Sequence, residues 1–193
     1  MDEQVIRSIA KWPNVPDCFG WLALDRRGQW RMRDEYAQTH HLPGSPIEHV
    51  GLKEFICRNY ICDDLGRFYF QNGPQKVFVT LDSCPWVVRI IPKQDQSHSF
   101  DLITQCGNQM QPHSALSDEA GNIYIVGSIA QDLTLSVALL HDHDLHLFSE
   151  QSLVEEDACS YRGSWQWGGE KLAIDPVHST ELSSRFHFVK TPS

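Results

Sequence analysis

A chain of 193 residues with 41% apolar and 21% charged residues can bury a core without disulfide or metal staples. It has no run approaching the ~18 apolar residues of a membrane span. Its net charge of −9 argues against nucleic acid or an acidic membrane as partner.

That charge is unevenly placed. Residues 1–92 hold 11 Lys/Arg and 11 Asp/Glu, whereas residues 93–193 hold 5 and 14. Between Lys93 and Arg162 there is no Lys or Arg, only 11 acids and five histidines. Such a segment is either a solvated acidic face or a surface for a cationic ligand or basic partner.

Met1-Asp2-Glu3-Gln4 starts acidic, and no apolar stretch of signal-peptide length follows, so a cytoplasmic location is expected. Val5, Ile6, Ile9 and Ala10 predict a short amphipathic helix ending before Pro13. Cys18, Cys57, Cys62, Cys84, Cys106 and Cys159 show no CxxC and no zinc-type spacing. Cys57 and Cys62 lie in an apolar run, and six free thiols are expected.

A turn signal recurs three times: Asp25-Arg26-Arg27-Gly28, Asp63-Asp64-Leu65-Gly66 and Asp118-Glu119-Ala120-Gly121, each followed by a strand start. Asp can accept hydrogen bonds from the backbone ahead of it, and Gly takes positive φ, so each copy predicts a tight reversal. The second and third copies share a longer pattern running to Tyr69 and Tyr124, as an internal duplication would leave.

Between the first two copies, Ser45-Pro46-Ile47-Glu48 reads as a capping box with Pro at the first helical position, predicting a helix from about Pro46 to Tyr60. Asn72-Gly73-Pro74 is a turn. Val77 to Leu81, Trp86 to Ile91, and Leu133 to Leu139 predict strands. The first part of the polar stretch 93–114 predicts a loop between two lobes. Trp165 and Trp167, the Gly168-Gly169 turn, Lys171 to Ile174, and Arg185 to Val189 predict short closing strands.

Gly44-Ser45-Pro46-Ile47, then Asp64-Leu65-Gly66-Arg67-Phe68-Tyr69, then Pro74, Lys76 and Val77, then Pro85-Trp86 form a series of motifs. This series resembles the bacterial family labelled domain of unknown function 1285, or a sister family with the same fold. The resemblance covers roughly residues 20–92. It implies a two-lobed α+β fold of repeated strand-rich motifs and a role in signalling or ligand sensing, with no catalytic residues to carry over. The second half departs from it beyond the Asp118–Tyr124 copy.

The residues themselves offer two candidate sites. Arg58, at the end of the expected helix, with Asn72, Lys76 and Arg89, could line a polar cleft or a small anion site; strand-edge surface charge is the alternative. His141-Asp142-His143-Asp144-Leu145-His146 places His141 and His143 on one face of a strand, where they could share a metal, with Asp142, Asp144 and His146 on the other face as further ligands or orienting groups. The competing reading is the polar tip of a hairpin between Val137–Leu140 and Leu145–Phe148. Of the six tryptophans, Trp165 and Trp167 are expected to be the most exposed.

The expected fold is α+β, mostly antiparallel strands with one main helix, in two lobes at 1–92 and 93–193. No catalytic residue and no cofactor is assigned. The expected function is a non-enzymatic module binding a small molecule or protein, with a homodimer as one candidate assembly; the alternative is a metal-dependent enzyme using His141 and His143.

Overall fold

The structure, a computed structural model, describes residues 1–93, 100–129, 132–157 and 160–193. Its contacts divide the chain into two units: residues 1–85 with 187–193, and residues 86–186. This division differs from a boundary at 92–93 by one strand and by the C-terminal segment. Most of the expected inter-lobe loop, residues 94–99, lies outside the described residues.

The first unit contains α1 (Glu3–Lys11), β1 (Cys18–Leu24), β2 (Trp30–Met32), α2 (Glu35–Thr39), β3 (Ser45–Pro46), α3 (Val50–Arg58), β4 (Tyr60–Cys62), β5 (Phe68–Asn72) and β6 (Gln75–Leu81). The strands form one sheet in the order β3-β2-β1-β6-β5-β4, antiparallel except for the β1–β6 pair. Leu22, Leu24, Trp30, Ile56, Phe70, Phe78 and Val79 are buried in this unit. Asn59, fully buried, ties α3 to the N-terminus: its Oδ1 accepts from the Asp2 N–H at 2.8 Å and its Nδ2 donates to the Phe55 carbonyl.

The expected capping box is corrected here. Ser45 and Pro46 pair with Met32 and Arg31, and the Ile47 N–H donates to the Trp30 carbonyl. An edge position tolerates a proline that has no N–H to give. The helix begins later, capped by His49, whose Nδ1 accepts from the Leu52 N–H at 3.1 Å. At nine residues α3 is no longer than α1, so it is not a single main helix.

The second unit contains β7 (Trp86–Pro92), β8 (Phe100–Thr104), β9 (Gln109–Ser117), β10 (Ile123–Ile129), β11 (Asp132–Leu140), a 3-10 turn (Asp142–Asp144), α4 (Leu145–Glu150), β12 (Ser152–Asp157), β13 (Ser160–Trp167), β14 (Glu170–Pro176) and α5 (Leu182–Arg185). Because β9 pairs with both β8 and β10, the strands β10-β11-β7-β8-β9 close into a barrel. From β9, the strands β14, β13 and β12 continue as an extension. Val88, Ile90, Leu102, Met110, Ile125, Ala138, Leu140, Phe148 and Trp165 form the core of this unit. Trp165 is 0% exposed, which overturns the expectation that it is partly open. Arg185 to Val189 is not a strand: α5 ends at Arg185, and the Val189 N–H donates to the Gly66 carbonyl.

The three Asp turns share one geometry. In each, the Asp Oδ1 accepts two backbone N–H groups, two and four residues on, at 2.8–3.1 Å. The glycines have φ of 75°, 77° and 77°. Thr104 to Asn108 builds a fourth such turn without Asp, with Gly107 at φ 78° and the Thr104 Oγ1 accepting from the Asn108 N–H. The same side-chain-to-backbone bonding and left-handed glycine thus recur in all four turns.

Mixed α+β architecture with mainly antiparallel pairing is therefore the fold. Among the described residues, no helix is long and apolar enough to cross a membrane.

Candidate functional site

The extension of the second unit carries an open hollow of about 420 Å³, lined by Leu153, Arg162, Gly163, Ser164, Lys171, Leu172 and Ala173. Strand register explains the grouping. Leu153 pairs with Ser164, and Ser164 pairs with Ala173, so these three form a row across β12, β13 and β14. Arg162 is two residues from Ser164 and Lys171 two from Ala173, so both share that face. The opposite face turns Trp165 and Ile174 into the core. Gly163 permits close strand packing, because a Cβ there would collide with the Leu153 carbonyl oxygen.

The polar groups on this face are open to a ligand. Ser164 is 8% exposed, and among the described residues its hydroxyl has no hydrogen-bond partner. Lys171 has no ion-pair partner among them either. Arg162 reaches Asp175 only at 3.9 Å, with 70% of its own side chain exposed, a contact worth little in water.

The sequence-derived candidates fall elsewhere. Arg58 donates to Asp2 at 3.3 Å. Asn72 and Lys76 stand on the β5–β6 hairpin, with the Lys76 ammonium 5.0 Å from the centre of the Tyr69 ring. These three belong to the first unit and Arg89 to the second. Arg89 grips Asp144 through two bonds of 2.6 and 3.0 Å, and the same carboxylate accepts the Ile90 N–H. Burial alone would push the Asp144 carboxyl up, but the Arg89 guanidinium and the Ile90 N–H hold it below the usual carboxylate range.

That clamp also corrects the hairpin-tip reading of residues 141–146. They form a 3-10 turn running into α4, because Asp144 is pinned to β7 and the His141 Nδ1 caps the turn by accepting from the His143 N–H at 3.1 Å. The structure gathers His141, Asp142 and His143, their ligand atoms within 4.8 Å of one another, and leaves His146 outside that group on α4. Burial, and then the Arg89 charge, lower the pKa of His141.

Sequence reasoning missed this hollow altogether, Leu153, Arg162, Ser164, Lys171 and Ala173 included. The available signal was Arg162, the first cation after a stretch of 68 residues without one, with Lys171 across the Gly168-Gly169 turn.

A family model described as "Protein of unknown function (DUF2946)" matches residues 1–193. The chain belongs to this family. No curated protein matches it. Two solved structures are similar to this DUF2946 chain. One is a DUF1285 family protein from Silicibacter pomeroyi DSS-3, at 16% identity and TM-score 0.49, covering 88% of this chain and 87% of that one. The other is a DUF1285 family protein from Shewanella baltica OS155, at 15% identity and TM-score 0.44, covering 67% of this chain and 91% of that one.

Proposed function

We propose that this chain is a non-enzymatic binding module for a small molecule, serving bacterial signalling. The observation that carries the reading is the hollow on β12–β14, where the hydroxyl of a largely buried serine, without a hydrogen-bond partner among the described residues, stands between two cations. The signalling side follows the motif resemblance over residues 20–92.

The other reactive side chains support binding over catalysis. Burial raises the thiol of Cys18, and it raises that of Cys62 to about 11, so both stay protonated and weakly nucleophilic at neutral pH. Asp118 and Asp144 are spent on a turn and on Arg89. Asn72 and Lys76 are proposed as a second contact surface on the first unit, whereas Arg58 and Arg89 already hold carboxylates.

The cytoplasm is proposed as the location. Free thiols at Cys18, Cys62 and Cys84 support it, while the disulfide bonding of Cys57 and Cys106 weighs against it.

A melting-temperature screen against a metabolite panel tests the binding reading, since a ligand that binds only the folded state raises the midpoint. A shift that Ala173→Trp abolishes is expected. Ligand-induced shifts that survive this filling of the hollow would place binding elsewhere.

A further inference from the structure

We infer that the hollow on β12–β14 takes a small monoanionic carboxylate with a short aliphatic body. This rests on the binding reading above and names the ligand class.

The row Leu153–Ser164–Ala173 is the floor, one hydroxyl between two apolar side chains. Because β13 and β14 are antiparallel, Arg162 and Lys171 stand at opposite ends of the Ser164–Ala173 pair, each about 7 Å along its own strand. Two long flexible cations can therefore converge on one anion placed over the Ser164 hydroxyl. Arg offers a fork that matches a carboxylate, Lys adds a mobile point charge, and Ser donates a single hydrogen bond. Leu153, 68% exposed, and Ala173, also exposed, give an aliphatic tail surface to cover.

Charge and size narrow the class. Residues 93–193 hold 14 acids against 5 cations, so a ligand with several negative charges meets a repulsive field. A single carboxylate needs only the local pair. A volume of about 420 Å³ lies at the small end of ligand sites. Polyanionic ligands are thus disfavoured by charge, and bulky ones by size.

The probes are hexanoate, its neutral isostere hexanamide, and inorganic phosphate, titrated by calorimetry into the full chain and three variants. Hexanoate is expected to bind at least tenfold more tightly than hexanamide or phosphate. Arg162→Gln with Lys171→Gln should weaken hexanoate at least tenfold, and Ser164→Ala severalfold. These cations are exposed, and an unchanged melting temperature checks that the double variant folds. Ala173→Trp should abolish binding.

Hexanamide binding as tightly as hexanoate, and blocked by Ala173→Trp, would overturn the anion assignment while leaving the binding module in place. Phosphate binding more tightly than hexanoate would overturn the carboxylate class in the same way. Hexanoate binding that the double variant leaves unchanged, or no hexanoate binding at tens of millimolar, would overturn the inference. The metabolite screen then decides the wider reading separately.

Discussion

The Cα of Gly66 lies so close to His187 that a Cβ on Gly66 would collide with the His187 carbonyl oxygen. Gly121 occupies the same kind of turn at the same φ of 77°, yet a Cβ there meets nothing within 4 Å. The pair separates backbone strain from packing. Gly121→Ala is expected to destabilise by about 1–2 kcal/mol through left-handed φ alone. Gly66→Ala adds a clash with backbone that has no rotamer to change, for a further ~1–3 kcal/mol. Urea melts of both variants check this. Equal losses would mean that the C-terminal segment yields freely.

These turns were legible in the sequence because their chemistry is local: the Oδ1 atoms of Asp63 and Asp118 accept from groups within four residues. The misreadings were non-local. Ser45-Pro46 has a helix-start pattern, but β2 takes its backbone. His141 to His146 reads as a tip until Arg89, 55 residues before Asp144, is placed against it. The hollow was not read from the sequence. Arg162 marked only the end of a cation-free stretch, and the position of Ser164 between Leu153 and Ala173 is set by pairing across three strands.

Asp144 is 4% exposed at its side chain and Arg89 44% exposed, so the two partners should respond unequally to removal. Asp144→Asn keeps the shape but loses the charge-assisted bonds, for an expected loss of about 2 kcal/mol. Arg89→Met leaves a buried carboxylate with only the Ile90 N–H, and is expected to cost more. Chemical denaturation at pH 7 compares them. The double variant Arg89→Met, Asp144→Leu should recover part of the loss, and failure to do so would argue that the pair is not a single coupled unit.

His141 gives the fold a pH dependence with a definite sign. Its folded pKa is lowered, first by burial and then by Arg89, with Asp142 and Asp144 acting against and His143 acting with them. The unfolded chain therefore binds the proton more readily. The contribution is fully present above the unfolded value of about 6.5 and is lost as pH falls below it. The melting temperature is expected to drop from pH 7.5 to 5.5, and His141→Gln should flatten that drop. A wild-type profile flat across this range would show that His141 is not held neutral.

Six free thiols were expected from composition, but Cys57 and Cys106 are disulfide-bonded. Cys18, Cys62 and Cys84 are free, and Cys159 lies outside the described residues. Thiol titration in denaturant without reductant should therefore find no more than four reactive groups, rising to six after reduction. Six before reduction, in protein purified without reductant, would mean that the disulfide chemistry does not form in solution and would favour a reducing compartment.

Zinc is expected to bind the His141–Asp142–His143 group only weakly. The three ligand atoms lie within 4.8 Å of one another, which is close enough to attract an ion. The His141 Nδ1, however, is already engaged. It accepts the His143 N–H at 3.1 Å or, in the other tautomer, donates to the Asp142 carboxylate at 2.9 Å, so its lone pair is unavailable in either state. A metal must then use the other ring nitrogen or break the cap of the 3-10 turn. Three consecutive residues also leave little freedom to reach tetrahedral geometry. Calorimetry with zinc on the wild type and on His141→Ala, His143→Ala should give the same weak, salt-sensitive signal for both, as expected of an acidic surface. Submicromolar, stoichiometric binding lost in the double variant would refute this and revive a metal-dependent reading of the second unit.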